Sequence, residues 1–183
     1  MKRLFLGFVL FSGLAFSQVS NVIRHPDSYK DFPFEGVRIV QVEEVSSPGN
    51  EENVIIFSKI EKGATPDEMY IQRFTKKGSD WELVKKKTVR HDGIISAWGS
   101  RKVFADYDKD KSVDAILVYS LNDSDFNQQS VHLIFSKGKD FYEISSDKDS
   151  GYKKDIFSEN FSSLPQFIQD KVLEFWSNLD KAD

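Results

Sequence analysis

Residues 115–121, with the sequence Ala-Ile-Leu-Val-Tyr-Ser-Leu, form an apolar run that presents hydrophobic side chains to both faces of an extended chain. A strand of this kind is typical of the interior of a sheet that is covered on both sides. We therefore predict a central β-strand at this position.

Similar short runs rich in Val, Ile, Phe and Tyr lie on both sides of this segment. Turn-forming clusters such as Pro48-Gly49-Asn50 and Lys137-Gly138-Lys139-Asp140 separate them, which favours an antiparallel meander over alternating helices and strands. The predicted strands cover about eight segments: 37–45, 53–61, 68–76, 81–90, 101–105, 115–121, 131–136 and 140–145. The expected fold class is mainly β (α+β).

Two of the predicted strands resemble each other in sequence. Residues 54–59 read Val-Ile-Ile-Phe-Ser-Lys and residues 132–137 read His-Leu-Ile-Phe-Ser-Lys. This likeness indicates either two four-stranded halves or only the general similarity of apolar strands, and two such units are too few to close a propeller.

The end of the chain has a different periodicity. Apolar residues recur at helical spacing from Leu164 to Leu179, with Ser162 and Ser163 available as N-caps, so we predict an amphipathic helix over residues 163–179. We expect its apolar stripe to pack on the sheet, with a partner groove or a membrane surface as the alternative.

The first residues have the pattern of a secretory signal peptide. Lys2 and Arg3 precede an apolar stretch that ends in Ala15-Phe16-Ser17, which predicts a signal peptide over residues 1–17 and cleavage before Gln18. The protein is then exported to the periplasm, the cell surface or the medium. Residues 18–36 contain two prolines without a clear period and are expected to form an irregular arm, and residues 37–183 a single domain. No segment after residue 17 is long and apolar enough to predict a transmembrane helix.

Composition excludes several classes of function. The chain of 183 residues has no cysteine, so it has no disulfide framework, no cysteine-bound zinc and no thiol nucleophile. Its formal net charge of −4 provides no field that attracts nucleic acid. The sequence also lacks the common phosphate-binding, serine-hydrolase and metalloprotease motifs, which favours a protein that is not an enzyme.

One cluster of basic residues, Lys85-Lys86-Lys87 with Arg90, has two interpretations. Charged residues of this kind protect an exposed edge strand from aggregation. The alternative is a surface that binds an anionic polysaccharide or lipid headgroups.

The sequence pattern with the clearest chemistry is an acidic loop between two predicted strands, Asp106-Tyr107-Asp108-Lys109-Asp110-Lys111-Ser112-Val113-Asp114. It has carboxylates at positions 1, 3, 5 and 9 and the Ser112 backbone carbonyl at position 7. Such a set of oxygen ligands suits a hard cation, and we predict a Ca²⁺ site with the ligands Asp106, Asp108, Asp110, Ser112 and Asp114. The alternative is an acidic turn with its carboxylates in solvent.

Two positions distinguish this loop from an EF-hand. Position 12 is Leu117 where an EF-hand has a bidentate Glu, so the loop is closer to the strand-loop-strand calcium loops of propeller-type repeat proteins, such as those of FG-GAP and VCBS repeats. Position 6 normally needs a positive φ and is Lys111, for which a left-handed conformation costs about 1 kcal/mol or more.

Residues 98–179 resemble a family of small exported bacterial proteins labelled surface polysaccharide biosynthesis proteins. The resemblance rests on the acidic loop followed by an apolar strand (104–121), on the strands at 131–134 and 141–142, and on Leu164-Pro165 leading into the helix. Members typically carry Asp-x-(Asp/Asn)-x-(Asp/Asn)-Gly in the loop, which Asp106, Asp108 and Asp110 match and Lys111 does not. The resemblance implies a role with envelope polysaccharide, and it implies no catalytic residues.

These observations lead to three functional hypotheses. The first is an exported, non-enzymatic cell-envelope protein with a structural Ca²⁺ loop, whose partner is a cell-surface polysaccharide or an envelope protein. The second is a secreted module, including an inhibitor, that binds a carbohydrate or a protein. The third is a hydrolase whose paired carboxylates meet only in the folded chain.

Overall fold

Ten antiparallel strands and one α-helix make up the part of the chain that the computed structural model describes, which comprises residues 19–22, 26–29 and 32–181. The predicted signal peptide lies outside these residues. The strands are β1 (Ser20–Val22), β2 (Arg38–Ser46), β3 (Glu52–Lys59), β4 (Asp67–Lys77), β5 (Asp80–His91), β6 (Ile94–Ala105), β7 (Asp114–Asn122), β8 (Gln128–Lys137), β9 (Asp140–Asp147) and β10 (Ile156–Phe157). The helix α1 spans Gln166–Ser177. Within the described ranges, no helix has the length and apolar character needed to cross a membrane.

The strands form two five-stranded sheets. The first has the order β1-β2-β3-β4-β5 and the second the order β10-β9-β8-β7-β6. The two segments of similar sequence, 54–59 and 132–137, lie on β3 and β8, which are the middle strands of their sheets. The prediction of a mainly β, antiparallel fold is confirmed, and the halves of the chain coincide with the sheets.

The inner faces of the two sheets share one hydrophobic core. Phe57 on β3 and Ile71 on β4 belong to the same buried cluster as Leu117 on β7 and Ile134 on β8. Successive residues of a strand point to opposite faces, so the neighbours of these residues lie on the outer faces. Both outer faces also carry buried apolar residues, such as Ile56 on β3 and Ile116 on β7, and each belongs to a cluster of its own.

The C-terminal helix covers the outer face of the second sheet. Ile168, Val172 and Trp176 of α1 are buried in one cluster with Ile116 of β7 and Phe135 of β8. This confirms that the amphipathic helix packs on the sheet.

The segment before β2 covers the outer face of the first sheet. Tyr29 and Phe32 belong to a cluster with Ile56 and Phe74, and the rings of Phe32 and Phe74 meet edge to face with centroids 4.9 Å apart. The segment was predicted to be irregular, but it contains β1 and a one-turn 3₁₀ helix at Pro26–Tyr29. β1 has only three residues and pairs with β2, so its sequence carries too little pattern to predict it.

Three details of the prediction were wrong. β7 is an interior strand, but the centre of its sheet is β8. β6 starts at Ile94 instead of residue 101, because a register shift between Ala97 and Lys102 breaks the alternation that would have revealed it. The helix begins after Pro165 and not at residue 163, because the residue before a proline favours the extended conformation, as Leu164 does with ψ of 143°.

The prediction that Ser162 or Ser163 caps the helix was also wrong, because both serines lie in the 3₁₀ helix that precedes α1. Ser163 ends the one-turn 3₁₀ helix Phe161–Ser163, and Ser162 is within it. Pro165 occupies the N-cap position of α1, where no side chain makes a capping hydrogen bond.

Candidate metal centre

The acidic loop connects β6, which ends at Ala105, with β7, which begins at Asp114. Carboxylate oxygens of Asp106, Asp108 and Asp110 all lie within 4.8 Å of one another. Among the described residues, this is the one group of His, Asp or Glu side chains close enough to share a metal ion. The loop therefore brings together three of the predicted ligands.

Hydrogen bonds within the loop hold these carboxylates in place. The backbone N–H of Lys111 donates to Asp106 Oδ2 over 3.0 Å, and the N–H of Ser112 donates to Asp110 Oδ1 over 2.8 Å. Asp106 and Asp110 thus each use one oxygen to fix the backbone of the loop.

Two carboxylate oxygens of the loop are buried without a partner. Asp106 Oδ1 and Asp108 Oδ1 are shielded from solvent and accept no hydrogen bond from any part of the chain that the structure describes. A buried acceptor without a donor is destabilising by about 1–3 kcal/mol, and more when it carries charge. These two atoms are therefore the positions at which a cation would contribute most.

The structure also shows a cation of the protein itself at the loop, which the sequence analysis did not identify. The Lys137 ammonium at the end of β8 lies 2.7 Å from Asp108 Oδ2, 3.0 Å from Asp110 Oδ2 and 3.5 Å from Asp114 Oδ1. Burial lowers the pKa of Lys137, but its hydrogen bonds to Asp108 and Asp110 and the charge of Asp114 outweigh burial and raise the pKa.

Strand pairing explains how Lys137 reaches the loop. β7 and β8 are antiparallel, and Ala115 pairs with Ser136. The preceding residue of β7 is Asp114 and the following residue of β8 is Lys137, so the register places these two side by side. Lys137 lies 23 residues after Asp114 in the chain, so only the register of the β7–β8 pair brings it to the loop.

Asp114 organises the loop instead of joining the three-carboxylate group. Its side chain is fully buried, and its Oδ2 accepts the Tyr107 N–H over 3.1 Å. Burial raises the pKa of Asp114 to about 6, while the nearby Lys137 charge and the Tyr107 hydrogen bond act in the opposite direction. Asp114 thus lies outside the group of three clustered carboxylates, and Ser112 contacts that group through its N–H. The roles of Asp114 and Ser112 as ligands stay predictions.

The backbone of the loop has the conformation that position 6 requires. Lys111 has φ of 71°, and Lys109 has φ of 62°. A left-handed conformation costs a side-chain-bearing residue about 1–2 kcal/mol, so the surrounding contacts must hold both residues in it. Position 12 of the loop, Leu117, is buried in the inter-sheet core, which agrees with the prediction that this is not an EF-hand.

The loop is also attached to the first sheet. Gly49, in the turn between β2 and β3, donates its N–H to the Lys111 carbonyl over 3.1 Å. A Cβ atom at position 49 would lie 2.8 Å from that carbonyl oxygen, so glycine allows this approach. The acidic loop is thus held by β6, β7, β8 and the β2–β3 turn together.

The basic cluster that was an alternative binding surface is neutralised by neighbouring acids. Its lysines pair with acids of the arm and of the second sheet, and Arg90 pairs with an acid of its own sheet: Lys85 with Asp140, Lys86 with Glu35, Lys87 with Glu143, and Arg90 with Glu68. These pairs favour the interpretation as a guarded edge strand over that of an anion-binding surface.

Comparison of this chain with protein-family models, with curated proteins and with solved structures found no match.

Proposed function

We propose that this protein is an exported, non-enzymatic protein whose acidic loop binds Ca²⁺, and that the bound ion holds together the loop that connects β6 with β7. The observation that carries the proposal is the pair of buried carboxylate oxygens without partners, Asp106 Oδ1 and Asp108 Oδ1, beside Asp110. Ca²⁺ prefers oxygen ligands from several carboxylates, and it accepts a variable number of them in flexible geometry.

The position of Lys137 determines how tightly such an ion would bind. The Lys137 ammonium contacts two of the three clustered carboxylates, so Ca²⁺ must displace it to use their oxygens. This competition lowers the affinity for the ion. Calcium sites with dissociation constants of about 10⁻⁴–10⁻³ M are typical of extracellular modules, and a weak site is consistent with export by the predicted signal peptide.

The proposed setting in the cell envelope has two supports. The signal-peptide pattern of residues 1–17 favours export. The sequence resemblance of residues 98–179 favours a role with surface polysaccharide. A cysteine-free domain gains no stability from disulfides in this compartment, which gives a structural cross-link by a cation a clear physical purpose.

The proposal is tested by calorimetry and thermal unfolding of the purified protein in EDTA and in millimolar Ca²⁺. We expect binding heat, and a stabilisation of about 1.4 kcal/mol when free Ca²⁺ is ten times the dissociation constant. The double variant Asp108→Asn/Asp110→Asn should lose both effects. Asp125→Asn, in the exposed turn between β7 and β8, is the matched control and should retain them.

The calcium proposal is refuted if the Lys137 ammonium is the only cation that the carboxylates of the loop bind. In that case neither the wild type nor Lys137→Met would respond to Ca²⁺, and Asp108→Asn/Asp110→Asn would be destabilised equally in EDTA and in Ca²⁺. That outcome would refute the calcium proposal and leave the ammonium as the permanent cation of the loop.

A further inference from the structure

A second site lies at the same end of the sandwich as the acidic loop. A cavity of about 380 Å³ opens there between the ends of the two sheets. Arg73 of β4 lines it, with Thr75 beside it on the same strand and Lys139 from the turn between β8 and β9. A volume of this size is in the range of small-molecule binding sites.

Arg73 is an unusual residue for this position, because it is buried without an acidic partner. Its exposed fraction is 2%, and no carboxylate within residues 19–22, 26–29 and 32–181 forms an ion pair with it. Burial lowers the pKa of its guanidinium, while the more distant charges of Glu51, Asp114 and Asp110 raise it. A guanidinium remains protonated under such conditions, so Arg73 places a positive charge in the wall of the cavity.

Not all N–H groups of the Arg73 guanidinium have an acceptor in the described part of the chain. Nε and Nη2 of Arg73 donate to Asn53 Oδ1 over 3.3 and 3.2 Å, and Nη1 donates to Ser136 Oγ over 3.0 Å. A guanidinium has five N–H groups. Two N–H groups, one each on Nη1 and Nη2, therefore have no acceptor among the described residues, and neutral partners hold the guanidinium in a fixed orientation.

The other charged residues of the cavity restrict the ligand further. Lys77 and Lys139 contribute two more positive charges, and Glu51 and Glu82 contribute two negative charges. The glutamates would repel a polyanion such as a polyphosphate but accept hydrogen bonds from hydroxyl groups. The lysines disfavour a ligand that carries an ammonium group.

We propose that this cavity binds a small hydroxylated monocarboxylate of the sugar-acid class, with its carboxylate on Arg73 and its hydroxyl groups directed to Glu51 and Glu82. The planar fork of a guanidinium matches a carboxylate in geometry and gives a charge-assisted hydrogen bond from each N–H. The site needs no metal ion, since the acidic loop contributes only Ser112 to the cavity wall.

The proposal is tested by NMR titration of the full chain in EDTA with sodium D-glucuronate as the probe. The Arg73 Nε–H and Thr75 amide resonances should shift saturably with glucuronate. Glucose, which lacks the carboxylate, and sodium chloride at the same ionic strength should cause no saturable shift. Absence of a saturable shift up to about 10 mM glucuronate, where even a millimolar site would be occupied, would overturn the proposal.

Three variants locate the binding. Arg73→Met should abolish binding, but it also removes the hydrogen bond to Ser136 of the other sheet and could impair folding. Val84 lines the cavity and takes no part in the hydrogen bonds of Arg73, so Val84→Trp should reduce the volume of the cavity and weaken glucuronate binding at least tenfold. Lys139→Gln should weaken it about threefold at low salt, as expected for a charge at the rim of a site.

The matched control is Lys62→Gln, in the turn between β3 and β4 at the opposite end of these strands, and its binding should equal that of the wild type. Wild-type affinity in Val84→Trp would place glucuronate elsewhere and refute the site. Because the titration is done in EDTA, a failure here is separate from a failure of the calcium proposal.

Discussion

If the acidic loop binds Ca²⁺ as proposed, replacement of Lys137 by methionine should raise its affinity for the ion. Methionine has a similar length but no charge, so the variant removes the ammonium that contacts Asp108 and Asp110 at 2.7 and 3.0 Å. Hydrogen bonds to charged groups contribute about 1.5–3 kcal/mol each. The Asp110 side chain is 45% exposed, so solvent screening weakens its hydrogen bond to Lys137. The two hydrogen bonds of Lys137 together should therefore contribute about 3 kcal/mol to stability.

Two measurable effects follow from this magnitude. In EDTA, Lys137→Met should be less stable than the wild type by about 3 kcal/mol in urea denaturation, because the carboxylates then repel one another without a cation. In calorimetry, its dissociation constant for Ca²⁺ should fall about 100-fold, since the ion no longer has to displace an ammonium group and 1.4 kcal/mol corresponds to a factor of ten.

Lys139→Met is the matched control for both measurements. Lys139 belongs to the same hairpin as Lys137 and is exposed, and it forms no ion pair with the acidic loop. It should leave stability and calcium affinity within about twofold of the wild type. Equal calcium affinity in Lys137→Met and Lys139→Met would show that the Lys137 ammonium does not compete with the ion, which would contradict this prediction.

Three further predictions concern the loop and the core. Lys111→Gly should raise the free energy of unfolding by about 1 kcal/mol in urea denaturation, because glycine relieves the left-handed strain at φ of 71°, and Lys111→Ala should show no such gain. Gly49→Ala should be destabilised by about 1–3 kcal/mol, because its Cβ would lie 2.8 Å from the Lys111 carbonyl oxygen; Gly99→Ala, whose nearest neighbour would be at 3.5 Å, should be tolerated. Burial lowers the pKa of His132 to about 4, so below pH 6.5 the unfolded chain binds a proton that the folded chain does not. Stability from this residue is therefore lost as the pH falls from 6.5 to 4, by up to about 3 kcal/mol. The stability difference between wild type and His132→Phe should change by that amount over this range, and a constant difference would contradict the assignment.

The fold was predictable where the hydrophobic pattern is strong. Residues 115–121 are apolar on both faces, and the buried strand β7 is found there. The repeat of apolar residues after Leu164 predicted the helix for the same reason. β1 and β10 were not predictable, since each has two or three residues and exists only because a longer neighbour offers free backbone hydrogen bonds.

The candidate site was predictable in its carboxylates but not in its cation. Asp106, Asp108 and Asp110 follow from the spacing within one loop, which is local information. Lys137 and Arg73 come from other strands and reach the loop end only through strand register and sheet packing. Side chains that meet through tertiary structure leave no spacing pattern in the sequence, which is why both were missed.

The arrangement of turns explains why both proposed sites share one end of the sandwich. The β2–β3 and β4–β5 turns of the first sheet lie beside the acidic loop and the β8–β9 turn of the second. The hydrogen bond from the Gly49 N–H to the Lys111 carbonyl is one contact between them.

The opposite end of the sandwich is closed by the buried ion pair Lys59–Asp67. The Lys59 ammonium donates to the Ile95 carbonyl, and Asp67 accepts the Ile95 N–H at the start of β6. Lys59 and Lys137 occupy corresponding ends of the similar segments 54–59 and 132–137. Lys59 forms an ion pair with one aspartate, Asp67, whereas Lys137 lies beside several aspartates of the acidic loop. Two carboxylate oxygens of that loop have no hydrogen-bond partner among the residues that the structure describes. These unpaired acceptors are the reason why we propose a cation site at the acidic loop and none at the Lys59–Asp67 pair.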